Sequence, residues 1–132
     1  MKVDALQPMG TSACHASFGA IIYSSNNKIL LVLGRTSNKW SFPKGHADNG
    51  ESPFECVIRE TYEETGFTEL PNPSKSHRMR FGVFYEFHVD DEFVPAPVDQ
   101  NEIGDARWFT VTEAKQLTMN SDTGVFIQGL AL

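Results

Sequence analysis

The stretch from Gly45 to Phe67, GHADNGESPFECVIRETYEETGF, constrains this chain more than any other part of it. Ser52-Pro53-Phe54-Glu55 has the pattern of a helix start. It offers a hydroxyl to cap the first turn, a proline where a missing N–H costs nothing, and a glutamate placed to close a capping box. An apolar-periodic run follows, and Gly66 supplies the stop. The spacing therefore predicts one helix, with Phe54, Val57, Ile58, Thr61 and Thr65 on a core-facing stripe. Glu60, Glu63 and Glu64, at i, i+3 and i+4, project from a separate face, with Cys56 one turn before them. Like charges so spaced repel by about 0.2–0.5 kcal/mol per pair. Most glutamate clusters are simply solvated. Here Gly45 and Gly50 bracket a turn-rich His-Ala-Asp-Asn segment that would fold against the helix start, so a compensating cation is the better account. Hard carboxylate oxygens suit magnesium or manganese rather than zinc or copper.

The rest of the chain alternates strand and helix signals. Ala16 to Ser24 reads as a strand, Asn26-Asn27 as a turn, and Lys28 to Arg35 as the hairpin partner. Trp40 to Pro43 is a short extended piece leading into Gly45. After the helix, Pro71 to Ser74 reads as a loop and Arg80 to Val89 as a strong strand, with Phe81, Val83, Tyr85, Phe87 and Val89 on one face. Asp90 to Asn101 is a polar loop and Ala106 to Val111 a further strand. Thr112 can cap a helix over Glu113 to Leu117, and Ser121 can begin a terminal one. The basic run Lys75-Ser-His77-Arg78-Met-Arg80 is open to two readings, a solvated loop or a phosphate-contacting edge.

At 132 residues the chain holds one core, here taken as a single α/β domain over residues 16–132 behind a loose lead-in over residues 1–15. No apolar run approaches 18 residues and the N-terminus has no apolar core, so neither a membrane span nor a secretion signal is expected. Cys14 and Cys56 are expected to stay reduced in a cytoplasmic setting. Cys14-His15 lacks a second ligand pair at zinc spacing. A net charge of −6 disfavours an extended nucleic-acid interface, though not a small anion held by metal ions.

The skeleton Gly45, Glu51, Arg59-Glu60, Glu63-Glu64 and Gly66 resembles the box of the Nudix hydrolases, which cleave a nucleoside diphosphate linked to another moiety. Thr61, where the family carries a larger aliphatic residue, is a mild departure that touches packing only. The resemblance covers roughly residues 16–130 and implies a mixed β-sheet sandwiched between helices. It implies a magnesium or manganese cradle of Glu60, Glu63 and Glu64, joined by the backbone carbonyl of Lys44 just before Gly45. Glu51 and Arg59 would clamp loop to helix through an ion pair, and Gly45 and Gly66 would be structural. Glu102 stands six residues before Trp108, where many members carry a further acidic ligand; a plain surface carboxylate is the alternative, and Asp105 a weaker competitor. Glu60 is the first choice for the general base and Glu102 the alternate, with Glu64 completing the catalytic carboxylates.

Cleaving P–O–P requires charge neutralisation, an activated water held in line, and a base within reach. A base bound to cations implies a rate that rises towards alkaline pH. Pro43-Lys44-Gly45-His46 and Arg59-Glu60-Thr61 resemble the asymmetric diadenosine tetraphosphate hydrolases, with Lys44, His46 and Arg35 near the phosphates and Tyr85 stacked on adenine. The same stretch, through Trp40-Ser-Phe-Pro-Lys-Gly45 and the ending Thr61-Tyr-Glu-Glu-Thr-Gly-Phe67, also resembles the catalytic domain of mRNA-decapping enzymes, which makes an RNA end an alternative substrate. A non-catalytic nucleotide-binding module is the alternative of another class. Such modules typically lose one or more of the box glutamates, and all are present here.

Overall fold

The computed structural model describes residues 16–131. Its central strand, β1 (Ser17–Ser24), is buried on both faces, with Ala20, Ile21 and Ile22 wholly enclosed. An apolar run of this kind, with no polar alternation, is what a strand covered on both sides requires. Asn27 takes a positive φ of 60° in the turn that follows, and the chain returns as β2 (Ile29–Gly34).

The expected hairpin forms only at its closed end, where Tyr23 faces Ile29. Beyond that point the two strands part. β2 pairs instead with β3 (Trp40–Ser41) and with β7 (Ile103–Phe109), while the first half of β1 takes β4 (Lys44–His46). On its other side β1 runs parallel to β6 (Gly82–Val89) along its whole length, and β6 carries β5 (Lys75–Arg78) at the edge. Among the described residues these seven strands form one forked sheet. The parallel β1–β6 pair needs a crossover, and α1 (Pro53–Thr65) lies within it.

One face of the sheet packs Ala20, Ile22, Leu30 and Phe87 against Val57 of α1. The other packs Ile21, Leu31, Phe42 and Phe84 under α2 (Val111–Ala114) and α3 (Ser121–Gln128), through Ala114 and Ile127. The layering is thus helix, sheet, helix. No described helix is long and apolar enough to cross a membrane.

The caps of α1 are those the sequence predicts. Ser52 Oγ accepts from Glu55 N, Glu55 Oε1 accepts from Ser52 N, and Gly66 closes the helix at φ 79°. Its orientation differs from the expected stripe. Phe54 and Ile58 remain 36% and 41% exposed, whereas Cys56, Glu60 and Glu64 turn inwards beside Val57, Thr61 and Thr65. The helix leans its acidic side on the Gly45 loop, so that side is not free in solvent.

Other boundaries move for local reasons. β7 begins at Ile103, three residues early, and stops at Phe109 because Thr110, not Thr112, caps α2 in a capping box with Glu113. α3 begins at Ser121 as expected, with Asn120 as its cap. Over most of its length the basic run is not a loop but edge strand β5. His77 Nε2 meets Glu86 Oε1 at 2.8 Å across the β5–β6 ladder. Charged side chains suit such an edge, because they discourage further strand pairing. Cys56 is a free, buried thiol, while Cys14, His15 and the rest of the lead-in lie outside the described residues.

Candidate active site

Arg59 organises the box. Its Nε and Nη2 grip Glu51 at 2.8 and 3.0 Å in a bidentate pair, and Nη2 also donates to the carbonyl of His46 at 3.0 Å. Nη1 reaches Glu60 Oε2 at 3.0 Å and straddles Glu63 at 3.2 and 3.3 Å. Asp48 stands 3.3 Å from Nε. One guanidinium thus ties the Gly45–Glu51 loop to α1, and four carboxylates share its single charge. Glu51, Glu60 and Glu63 raise its pKa further, the Glu51 hydrogen bonds contributing most.

Gly45 is needed for close approach. A Cβ there would fall inside the Glu60 carboxyl group, with Oε1 only 2.6 Å away. The Cys56 thiol donates to the Gly45 carbonyl at 3.5 Å, which seats the loop on the preceding helix turn.

Glu64, 3% exposed, accepts from Lys44 N at 3.2 Å. Burial pushes its carboxyl well above the usual carboxylate range, and the charges of Glu60 and Glu102 push it the same way. Glu60, 8% exposed, is also raised by burial, against the lowering effect of Arg59. These two carboxylates repel each other in a desolvated place, and Arg59 reaches only Glu60 of the two. That is the electrostatic condition a divalent cation relieves.

A polar cleft of about 430 Å³ opens beside them, lined by Glu64, Glu102, Lys44 and Lys39 together with Ser41 and Asn120. It lies where the sheet forks, between the strands that follow β1 and those that follow β2. Glu102, at the start of β7, reaches it from the side opposite α1, and among the described residues its carboxylate has no hydrogen-bonding or ionic partner. Asp105 does not compete, because it pairs with Arg107 at 2.8 Å and accepts from Ala106 N.

The described residues hold no group of three acidic, histidine or cysteine side chains drawn together for a metal. Glu60 and Glu63 turn to Arg59, and Glu64 to Lys44 N. The fit to a cation is therefore one of donor type. Hard carboxylate oxygens, two of them buried and short of positive charge, match magnesium or manganese. Glu60, Glu63, Glu64 and Glu102 are the side chains that would hold it.

Three sequence-predicted residues have other partners in the structure. Arg35 does not line the cleft; its Nε donates to the Gln100 carbonyl at 2.8 Å and Nη2 to that of Ile103 at 3.4 Å. The His46 ring turns to the carbonyl of Ala16 at 3.1 Å, and its own carbonyl serves Arg59. Tyr85 lies on the α1 face of the sheet, edge-on to Phe54 at 6.0 Å, and is no part of the cleft wall.

Sequence reasoning missed Lys39 and Phe81. From Lys44 and Asn120 a second hollow continues past Phe81 to Ser121 and Asp122, and a third carries on from there to Arg78 and Arg80. Phe81 is 54% exposed, and the Arg80 guanidinium sits 5.1 Å above its ring. No sequence signal separated Phe81 from the core aromatics of the strand that follows it.

Comparison with known proteins agrees with this architecture. The mRNA-decapping enzyme subunit 2 of Saccharomyces cerevisiae (strain YJM789) is 30% identical over 118 residues, covering 83% of this chain and 12% of that protein. The RNA pyrophosphohydrolase of Vibrio cholerae serotype O1 is 35% identical over 51 residues, covering 39% of this chain and 30% of its own. The chain thus spans only a small part of the length of these relatives. Among solved structures, a C. elegans Ap4A hydrolase binary complex matches the fold with a TM-score of 0.70 at 19% identity, over 85% of this chain and 92% of that one. The NUDIX domain family model matches residues 14–130, nearly the whole sequence, and the chain belongs to the Nudix family.

Proposed function

We propose that this chain is a divalent-cation-dependent pyrophosphohydrolase acting on a nucleoside-linked polyphosphate. The observation that carries the reading is the cleft at the fork of the sheet, where Lys39 and Lys44 share a wall with Glu64 and Glu102. Lysines there neutralise phosphate oxygens, and the carboxylates of α1 supply the donor set for magnesium or manganese. Bound in that place, the cation would polarise the phosphoryl group and lower the pKa of a water. Arg59 orients Glu60 and Glu63, while Lys44 N orients Glu64. Glu102, unpaired and on the cleft wall, is free to take a proton from that water. Glu60, the first choice by family resemblance, is held by Arg59.

The substrate favoured is a small dinucleoside polyphosphate, diadenosine tetraphosphate first. The hollow leading from Lys44 to Phe81 supports it, because an exposed ring beneath a guanidinium offers a base a stacking surface beyond the phosphates. The net charge of −6 also suits a short ligand better than a long one. An RNA 5′ end is the second reading, favoured by the likeness to the yeast decapping subunit and the Vibrio RNA pyrophosphohydrolase.

Mass-spectrometric product analysis tests both. Diadenosine tetraphosphate with magnesium should yield ATP and AMP, and Glu64→Gln should yield neither. A triphosphorylated or capped oligonucleotide run in parallel decides the second reading. Cleavage of neither would remove both substrates and leave the hydrolase reading standing for another nucleoside-linked polyphosphate.

A further inference from the structure

Glu102 is delivered by the segment between β6 and β7, which has no regular structure of its own to fix it. Its first part docks on the end of α1. Ala96 N donates to Thr65 O, and Val98 N and Asp99 N both donate to Glu63 O, each at 2.9 Å. Carbonyls of a helix's last turn lack intrahelical donors, so the segment satisfies groups that need partners.

From Asp99 onward side chains take over. Asp99 Oδ1 accepts from Asn101 N and from Glu102 N, both at 3.2 Å, in an Asx-type turn, and Asp99 O accepts from Ile103 N at 3.0 Å. From the other side Arg35 N donates to Glu102 O at 2.8 Å, and the Arg35 guanidinium holds the carbonyls of Gln100 and Ile103. Both backbone polar atoms of Glu102 are therefore occupied, and only its carboxylate is left to the cleft. Arg35 gives its Nε and Nη2 to carbonyls. Asp99 is used as an acceptor, so its charge is incidental.

We propose that Arg35 and Asp99 are positioning residues that set where the Glu102 carboxylate stands, and that they affect turnover only through Glu102. The kinetic part rests on the hydrolase reading above; the structural part does not. Misplacing a reacting group by about 1 Å costs up to about a hundredfold.

Arg35→Met, Asp99→Ala and Asp99→Asn, each made in the full chain with and without Glu102→Gln, provide the test. Arg35→Met and Asp99→Ala should lower kcat about ten- to a hundredfold and leave KM within about twofold. Asp99→Asn, which keeps Oδ1, should retain parental kcat. In the Glu102→Gln background neither Arg35→Met nor Asp99→Ala should cost anything further, as expected for groups acting through one residue. Amide hydrogen exchange gives a readout free of activity. In Asp99→Ala the Asn101 and Glu102 amides should exchange at least about tenfold faster, with the α1 amides unchanged and Asp99→Asn parental.

A raised KM with parental kcat in Arg35→Met would make it a substrate contact and overturn the proposal. So would an undiminished loss in the Glu102→Gln background, or an Asp99→Asn variant as impaired as Asp99→Ala. If the parent protein hydrolyses nothing, the functional reading falls alone. Parental exchange in Asp99→Ala would then overturn the clamp.

Discussion

Replacing Glu64 with glutamine should stabilise the cation-free protein while abolishing turnover. Glu64 is 3% exposed, and its one hydrogen-bond donor is Lys44 N at 3.2 Å, which a glutamine Oε1 can keep. What the substitution removes is a desolvated charge facing Glu60 and Glu102. Burial first, and those charges second, place the folded-state pKa above its unfolded value. A carboxyl raised in this way contributes its full stability below the unfolded pKa, near 4.5, and loses it as pH rises through the folded one. With the folded-state value pushed up to about 9, each pH unit above 4.5 costs the parent about 1.4 kcal/mol until that value is passed, at most about 5 kcal/mol at pH 8. The new amide N–H₂, short of an acceptor, gives back about 1 kcal/mol. The net gain is a few kcal/mol, and each kcal/mol is worth about 3–4 °C in Tm for a domain of this size. Thermal melts in EDTA should show that gain at pH 8 and little of it at pH 4.5. Magnesium should reverse the order, because a cation bound to the folded state raises the parent and leaves Glu64→Gln nearly unmoved. A variant no more stable than the parent at pH 8 without metal would refute the electrostatic argument. Equal stabilisation of both by magnesium would refute the assignment of Glu64 to the cation.

Gly45→Ala should cost about 1–3 kcal/mol, because the added methyl lands in the Glu60 carboxyl and must displace it from Arg59; urea melts measure the cost, and turnover should fall even where the protein stays folded. Phe81→Ala should raise KM for a dinucleoside polyphosphate by about five- to a hundredfold, the worth of one base stacked on an aromatic, with kcat little changed; an unchanged KM would remove the platform. For Glu86, burial raises the carboxyl but the hydrogen bonds from His77 and His88, each at 2.8 Å, outweigh it and hold the pKa below the ordinary value. Its stability contribution is present above the unfolded value and lost as pH falls through the folded one, so acidification below about pH 4.5 should lower the parental Tm more steeply than that of Glu86→Gln.

What the sequence made legible was local. The boundaries of α1 follow from Ser52, Pro53, Glu55 and Gly66, whose roles depend on neighbours within one helical turn. The Glu51–Arg59 pair spans eight residues across one loop and one helix, a distance a motif can encode. Strand β5 was not legible, because Lys75-Ser-His-Arg becomes a strand only when β6 lies beside it and Glu86 takes His77. Periodicity placed Phe54 and Ile58 on the core stripe, yet both stay at its margin, 36% and 41% exposed, with Phe54 still edge-on to Tyr85. The same limit explains Arg35 and Tyr85. Arg35 is a plausible phosphate ligand by residue type, but its partners lie more than sixty residues on in the chain. Tyr85 and Phe81 are both aromatics ahead of or within one strand, and only the packing of Phe54 against Tyr85 separates a core ring from an open one.

The electrostatics of the box explain how so acidic a chain can serve a polyanion. Asp48, Glu51, Glu60 and Glu63 surround Arg59, and Glu64 and Glu102 add two more negative charges with no arginine of their own. Folding alone does not balance that set; buried Glu60 and Glu64 answer by holding protons more tightly than exposed carboxylates would. A divalent cation and a polyphosphate bring charges of opposite sign, and the cation can satisfy both the protein oxygens and the phosphate oxygens at once. The acidic cluster is then a reason for the ligand to arrive with its metal, and Lys39 and Lys44 need supply only the remaining positive charge on the open side of the cleft. Binding of a polyphosphate without metal should accordingly be weak, and it should weaken further as pH rises and Glu60 and Glu64 lose their protons.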